Sequence, residues 1–246
     1  MYFEIEGTSC RLLGSIHRWP NGNVGSALPT WVWEAYLWSE ELYLECDTSS
    51  APQAGLIADG SSLENRLPPS VWSGLNAAYL GADIKKLKPW AALIHLQFIG
   101  QSLCEGVEPQ FAKRAQEESK PIRYLETMEE FESLMDSVPD RQYADVLVRA
   151  LAGLDGLRQA LREMRPAWLT RRLEVVEALL PRTLIGLPGV AQVILDARNR
   201  AWLSKIIAGL PSTRRRLMVV GAGHLPRATG LLALLAQQGH QVRLIS

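Results

Sequence analysis

Short apolar runs bounded by turn residues open and close this chain, while apolar positions recur with a helical period through its middle. Residues 2–6 and 10–16, joined by Gly7-Thr8-Ser9, read as a β-hairpin. The second strand breaks at Gly14-Ser15-Ile16-His17, and a Trp19-Pro20-Asn21-Gly22 loop with clear turn chemistry follows. Leu28-Pro29-Thr30 opens a short helix, with proline near its first turn, that runs through Trp31, Trp33 and Trp38 to about Ser39. Residues 41–46 then read as a buried strand.

From about residue 61 the period is helical, with helices expected at 69–80, 88–104 and 108–119. A strand at 121–126 leads into a Thr127-capped helix reaching about Ser137. Two further helices, 139–164 and 167–180, are separated by Pro166, and a long one spans about 188–209. A strand at 216–220, a helix at 226–238 and a last strand at 241–245 complete the pattern. Strands at both ends with helices between them predict an α/β fold: a central mixed β-sheet flanked by helices, with a helical insertion or cap from the middle of the chain. With no low-complexity linker in view, residues 1–246 read as one domain.

Composition narrows the class of partner. The chain is 47% hydrophobic and 21% charged, which is globular rather than disordered. Its 26 basic residues balance 26 acidic ones, without the basic excess that phosphate neutralisation needs, so no nucleic-acid partner is expected. The three cysteines, Cys10, Cys46 and Cys104, lie far apart and form neither a disulfide scaffold nor a thiolate zinc site. The start, Met1-Tyr2-Phe3-Glu4-Ile5-Glu6, reads as a strand and not a signal peptide. No apolar run approaches the roughly 20 residues of a membrane helix, so a cytoplasmic chain with no membrane partner is expected. Nothing in the sequence signals an oligomeric state.

Two of the four histidines share one local pattern, Gly-x-x-His at a strand's carboxyl end: Gly14 to His17 and Gly221 to His224. Ligands of open α/β sheets bind outside such ends, where side chains far apart in sequence converge. Glu45 and Glu126 occupy two other strand ends. Two imidazoles with one or two carboxylates suit a divalent ion such as Zn²⁺, Mn²⁺ or Co²⁺. Such an ion makes water nucleophilic near neutral pH, and a free carboxylate can serve as general base. A single Gly-x-x-His is more often a capped turn than a ligand; the duplication carries the argument. Gly221-x-Gly223 is not a dinucleotide fingerprint, because Pro226 takes the place of its third glycine. Cys46 reads as a buried, inert thiol, His95 as a core histidine, and Trp19 as a possible pocket wall.

The ordered set Leu12-Leu13-Gly14-Ser15-Ile16-His17, Leu44-Glu45, Leu87-Lys88-Pro89-Trp90, Tyr124-Leu125-Glu126-Thr127, Ala197-Arg198-Asn199-Arg200-Ala201-Trp202 and Val220-Gly221-Ala222-Gly223-His224 resembles the TraB/PrgY/GumN family over nearly the whole chain. That family is related to the TIKI proteins and, more distantly, to the ChaN and erythromycin-esterase-like proteins. The resemblance implies that His17, Glu45 and His224 hold a metal. It makes Glu126 the base or a partner behind the ligands, and Arg198 a catalytic or substrate-anchoring group, with Asn199 also facing substrate. It also implies a metal-dependent hydrolase, TIKI-like members being described as peptidases, acting on a peptide or small-molecule substrate. The alternatives are a metal-free esterase-like hydrolase with a histidine general base, and a non-catalytic protein that binds a peptide or haem-like ligand. The family's usual Gly-Val-Asp is here Gly106-Val107-Glu108, which leaves the role of the acid at 108 open.

Overall fold

The computed structural model describes residues 1–20, 27–47, 51 and 53–245, so the turn expected at Asn21-Gly22 lies outside the described residues. Strands β1 (Tyr2–Ile5) and β2 (Cys10–Ser15) form the expected antiparallel hairpin, with Tyr2 opposite Leu13. A small second sheet pairs β3 (Arg18–Pro20) with β5 (Leu103–Glu105), Trp19 lying opposite Cys104. In the main sheet β2 runs parallel to β7 (Arg216–Gly221), which is flanked on its other side by β4 (Glu41–Leu44) and then β6 (Ile122–Tyr124), all parallel. β8 (Val242–Leu244) lies antiparallel to β1 at the opposite edge. The order β6-β4-β7-β2-β1-β8 is a mixed six-stranded sheet flanked by helices, as the sequence predicts. Its four adjacent parallel strands bring their carboxyl ends to one rim.

Leu12, Leu13, Val219 and Val220 are fully buried, because these central strands are covered on both faces and read as apolar runs. Helix α1 (Thr30–Trp38) returns the chain from β2 towards β4 and buries Trp31, Val32, Ala35 and Tyr36. The helical middle comprises α2 (Leu63–Arg66), α3 (Pro69–Ala78), α4 (Pro89–Leu96) and α5 (Val107–Glu117). It continues with α6 (Met128–Asp136), α7 (Asp140–Ala152), α8 (Leu154–Leu169) and α9 (Leu173–Leu179). The chain closes with α10 (Arg198–Gly209) and α11 (Leu231–Gln237). Two apolar clusters result: one under the sheet, containing Leu12, Leu42, Trp168 and Trp202, and one among the helices, containing Leu75, Leu93, Leu147 and Leu195. Ile185 packs against both.

Four boundaries differ from the sequence expectation. The helix expected over 88–104 stops at Leu96, and after Gly100 (φ +71°) the chain turns back to pair as β5. That pairing also makes Trp19 and Pro20 strand residues rather than loop. Pro166 lies inside α8, and the break falls earlier, at Gly153. The last turn of α8 is held by Trp168, whose indole donates to the Gly14 carbonyl at 2.7 Å and packs on Trp19 and Trp31. The helix expected at 226–238 begins at Leu231 because Pro226 to Gly230 form a tight turn, in which a Cβ at Gly230 would fall 1.9 Å from the Pro226 oxygen. Finally, residues 192–197 form a π-helical turn directly before α10. Such turns recur near functional sites. No helix among the described residues is long and apolar enough to cross a membrane.

Candidate functional site

The rim of the parallel strands assembles the residues that the sequence pattern pointed to. Glu45 follows β4 directly, His17 lies two residues beyond β2, Glu126 two beyond β6, and His224 ends a short 3₁₀ turn after β7. Glycine makes the approach possible at two places. A Cβ at Gly221 would lie 2.9 Å from His17 Nε2 and 3.4 Å from Glu45 Oε1. A Cβ at Gly106 would lie 1.9 Å from the Ile16 oxygen, and the backbone there docks through Gly106 N–H donating to His17 O (2.8 Å) and Val107 N–H to Ile16 O (3.2 Å). This docking delivers Glu108, at the start of α5, to the rim.

One side of the site is open. The His17 side chain is 55% exposed, and its Nδ1 lies 3.1 Å from Glu108 Oε1 while its Nε2 lies 3.5 Å from Glu45 Oε1. Glu108 Oε1 also accepts from the Ser15 hydroxyl, whereas Glu108 Oε2 is buried without a hydrogen-bond partner. Partial burial disfavours the imidazolium of His17, but the Glu108 and Glu45 carboxylates outweigh it and raise its pKa to about 9. Ligand atoms of His17, Glu45 and Glu108 lie within 4.8 Å of one another, a spacing that a single cation can span. The donor set, one imidazole and two carboxylates, suits a borderline divalent ion. The orphaned Glu108 oxygen has unused acceptor capacity for it.

The other side is closed. The Arg198 guanidinium, 7% exposed, donates to Glu45 Oε2 at 2.7 Å and from Nε to Glu126 Oε1 at 2.9 Å, and its Nη2 also reaches that Glu126 oxygen. Trp202 Nε1 donates to the second Glu126 oxygen at 3.1 Å. Burial favours neutral Glu45, yet Arg198 and the two imidazoles hold its carboxyl far below the usual range. At Glu126 burial prevails over Arg198 and the pKa is raised. Asn199 is fully buried, and its Nδ2 donates to the carbonyls of His224 (3.2 Å) and Thr229 (2.9 Å), so its Oδ1 is the acceptor facing His224 Nδ1 at 2.7 Å. The proton of His224 therefore sits on Nδ1. The remaining lone pair, on Nε2, faces Arg198 Nη1 at 3.4 Å and lies 3.7 Å from Glu45 Oε1. Burial lowers the His224 pKa to about 3, Arg198 and His17 adding to it against the opposite pull of Glu45.

The structure thus brings His17, Glu45, His224, Glu126, Arg198 and Asn199 together. Trp19 is 2% exposed and packs against Trp168 and Arg165 inside the sheet core. His95 lies on the exposed face of α4, not in the core. Cys46 is half-buried with Sγ 3.3 Å from Met128 Sδ; burial, with Glu126 nearby, pushes its thiol up to about 12, which suits an inert residue. The strand-end pattern omits Glu108 because it belongs to a helix start, and the resemblance left its role open. Its signal was the Gly106-Val107-Glu108 match to the family's Gly-Val-Asp, and the close backbone approach at Gly106 explains the glycine.

The chain belongs to the TraB/PrgY/gumN family, whose model matches residues 3–244. It is 26% identical over 226 residues to "Uncharacterized protein YbaP" of Escherichia coli (strain K12), a match spanning 87% of this chain and 83% of the relative. The protein of the same name from Shigella flexneri matches equally. No solved structure gives a match.

Proposed function

We propose that this protein is a divalent-metal-dependent hydrolase, peptidase-like in its choice of substrate, working at the open side of the rim. The observation that carries the reading is the His17–Glu45–Glu108 cluster with its unpartnered Glu108 oxygen. These three side chains are the proposed holders of Mn²⁺, Co²⁺ or Zn²⁺, and His224, whose Nε2 lies 3.7 Å from the shared Glu45 oxygen, is the fourth candidate donor. A cation there supplies Lewis acidity that activates water and polarises a carbonyl near neutral pH. Arg198 keeps Glu45 ionised and aims both Glu45 and Glu126, and Asn199 fixes the tautomer of His224. Both are positioning residues, since their polar groups are committed to the protein. Glu126 is the reserve proton acceptor, its raised pKa bringing it closer to neutrality.

Calorimetric titration with Mn²⁺, Co²⁺ and Zn²⁺ tests this directly. One equivalent should bind, with affinity falling at least about tenfold in His17→Ala and Glu108→Gln. Because His17 holds its proton up to about 9, apparent affinity should rise with pH by about tenfold per unit below that value. Folded protein that takes up none of the three ions overturns the reading. The contact between His17 Nδ1 and Glu108 also favours a second reading, metal-free catalysis by an oriented imidazole. Cleavage of a peptide library that is indifferent to chelator selects it over the first.

A further inference from the structure

Away from the rim, the helical half forms a solvent-open cavity of about 500 Å³ walled by the end of α3, the turn after α4 and the start of α8. That volume is in the range of small-molecule sites. Its apolar wall includes Leu80, Ile99 and Leu154, and its polar wall Asp155, Arg158 and Arg162. Arg158 and Arg162 are four apart on α8 and share a face. Arg158 Nη2 donates to the Ile99 carbonyl at 2.9 Å, and its Nη1 has no hydrogen-bond partner among the described residues. Arg162 spends Nε and Nη2 on Gln159 Oε1 alone.

Among the described residues no carboxylate lies within ion-pair distance of either guanidinium, and Asp155 in the same wall offsets only one of the two charges. Of the other half-buried arginines, Arg11, Arg66, Arg216 and Arg227 face an acid, while Arg165 and Arg171 lie over the rings of Trp19 and Trp31. A guanidinium whose outer nitrogen is open to the cavity can give an anion a charge-assisted hydrogen bond. Leu80 adds a second feature at the mouth. It is 78% exposed, which is unfavourable for an apolar side chain in water. A single occupant with an apolar body and an acceptor group would cover Leu80 and accept from Arg158 at once.

We infer that this cavity binds a carboxylate carried on an apolar body, the arginines taking the anion and Leu80, Ile99 and Leu154 the body. The same chemistry is offered by a free alkyl acid and by the C-terminus of an apolar peptide. The site stands independently of the hydrolase reading.

Titration of the full chain with octanoate against octan-1-ol, and with N-acetyl-Ala-Leu-Leu against its C-terminal amide, separates these sources. At least one acid should bind at least about tenfold more tightly than its neutral partner, and Arg158→Gln/Arg162→Gln should abolish that preference. Arg162→Gln alone, on an exposed position, should lower acid affinity several-fold with the thermal transition unchanged. Equal binding of acid and neutral analogue, no saturable binding at millimolar ligand, or full acid affinity in folded Arg162→Gln overturns the proposal.

Discussion

His17 and His224 end the same four-residue pattern on neighbouring parallel strands, and they share Glu45 at 3.5 and 3.7 Å. Their surroundings nevertheless drive them in opposite directions. His17 lies half in solvent against two carboxylates and keeps a proton to about 9, whereas His224 is buried against a guanidinium and keeps one only below about 3. The motif supplies position, because β2 and β7 end level with each other. The proton is set by what other segments bring: Glu108 from the start of α5 on one side, Arg198 and Asn199 from α10 on the other. A duplicated motif is therefore not a duplicated role.

The sharpest way to break this contrast is to remove the cation from the closed side. Arg198→Met leaves Glu45 and Glu126 buried without their common partner, and truncating one member of a buried ionic cluster typically costs about 3–5 kcal/mol. Urea denaturation should show a loss of that size, and the His224 pKa should rise because a depressing charge has gone. A loss below about 1 kcal/mol would place the pair among ordinary surface bridges and sink the account of the closed side.

A smaller effect is expected from Asn199→Leu, which strips acceptor and donors from His224 Nδ1 and from the carbonyls of residues 224 and 229. Leaving such buried groups unpaired costs about 1–3 kcal/mol. If the role of Asn199 is to fix the tautomer, the ring ¹⁵N shifts of His224 in the variant will report a mixture, which a packing defect alone would not produce.

Much of this site was legible because strand-end residues announce themselves. The breaks at Gly14 and Gly221 and the acids at 45 and 126 follow apolar runs, and parallel pairing does the rest. What could not be read was partnership. Nothing in Arg198 or Asn199 as letters says that their polar groups turn inward, and Trp19, adjacent to the motif, points into the core because β3 pairs with β5. The same long-range pairing truncated the helix expected over 88–104 and carried Glu108 to His17. Pro166 was misleading for a related reason, since the packing of Trp168 outweighs the local cost of proline in the last turn of α8. Local signals therefore served well for elements that punctuation bounds and poorly where distant strands decide.

The pH dependence of the metal-free protein bears most directly on the contrast. His224 has a folded pKa (about 3) below its unfolded value of 6.5, so its contribution to stability is complete above 6.5 and is lost as pH falls towards 3. Glu45 acts in the same sense below 4.5, its folded value being the lower one. His17 has the opposite sign: with a folded pKa near 9, its contribution is present below 6.5 and disappears as pH rises from 6.5 to 9. Solvent screens a half-exposed ring, so the alkaline limb of a stability profile should be shallow beside the acid limb. His224→Gln should flatten the acid limb between pH 6.5 and 3, and His17→Gln only the alkaline one. In Glu108→Gln the His17 titration followed by NMR should move down from about 9, because one of its two carboxylates is gone. If His17 titrates unchanged there, the proton belongs to Glu45 alone, and the difference between the two histidines is one of burial rather than of partners.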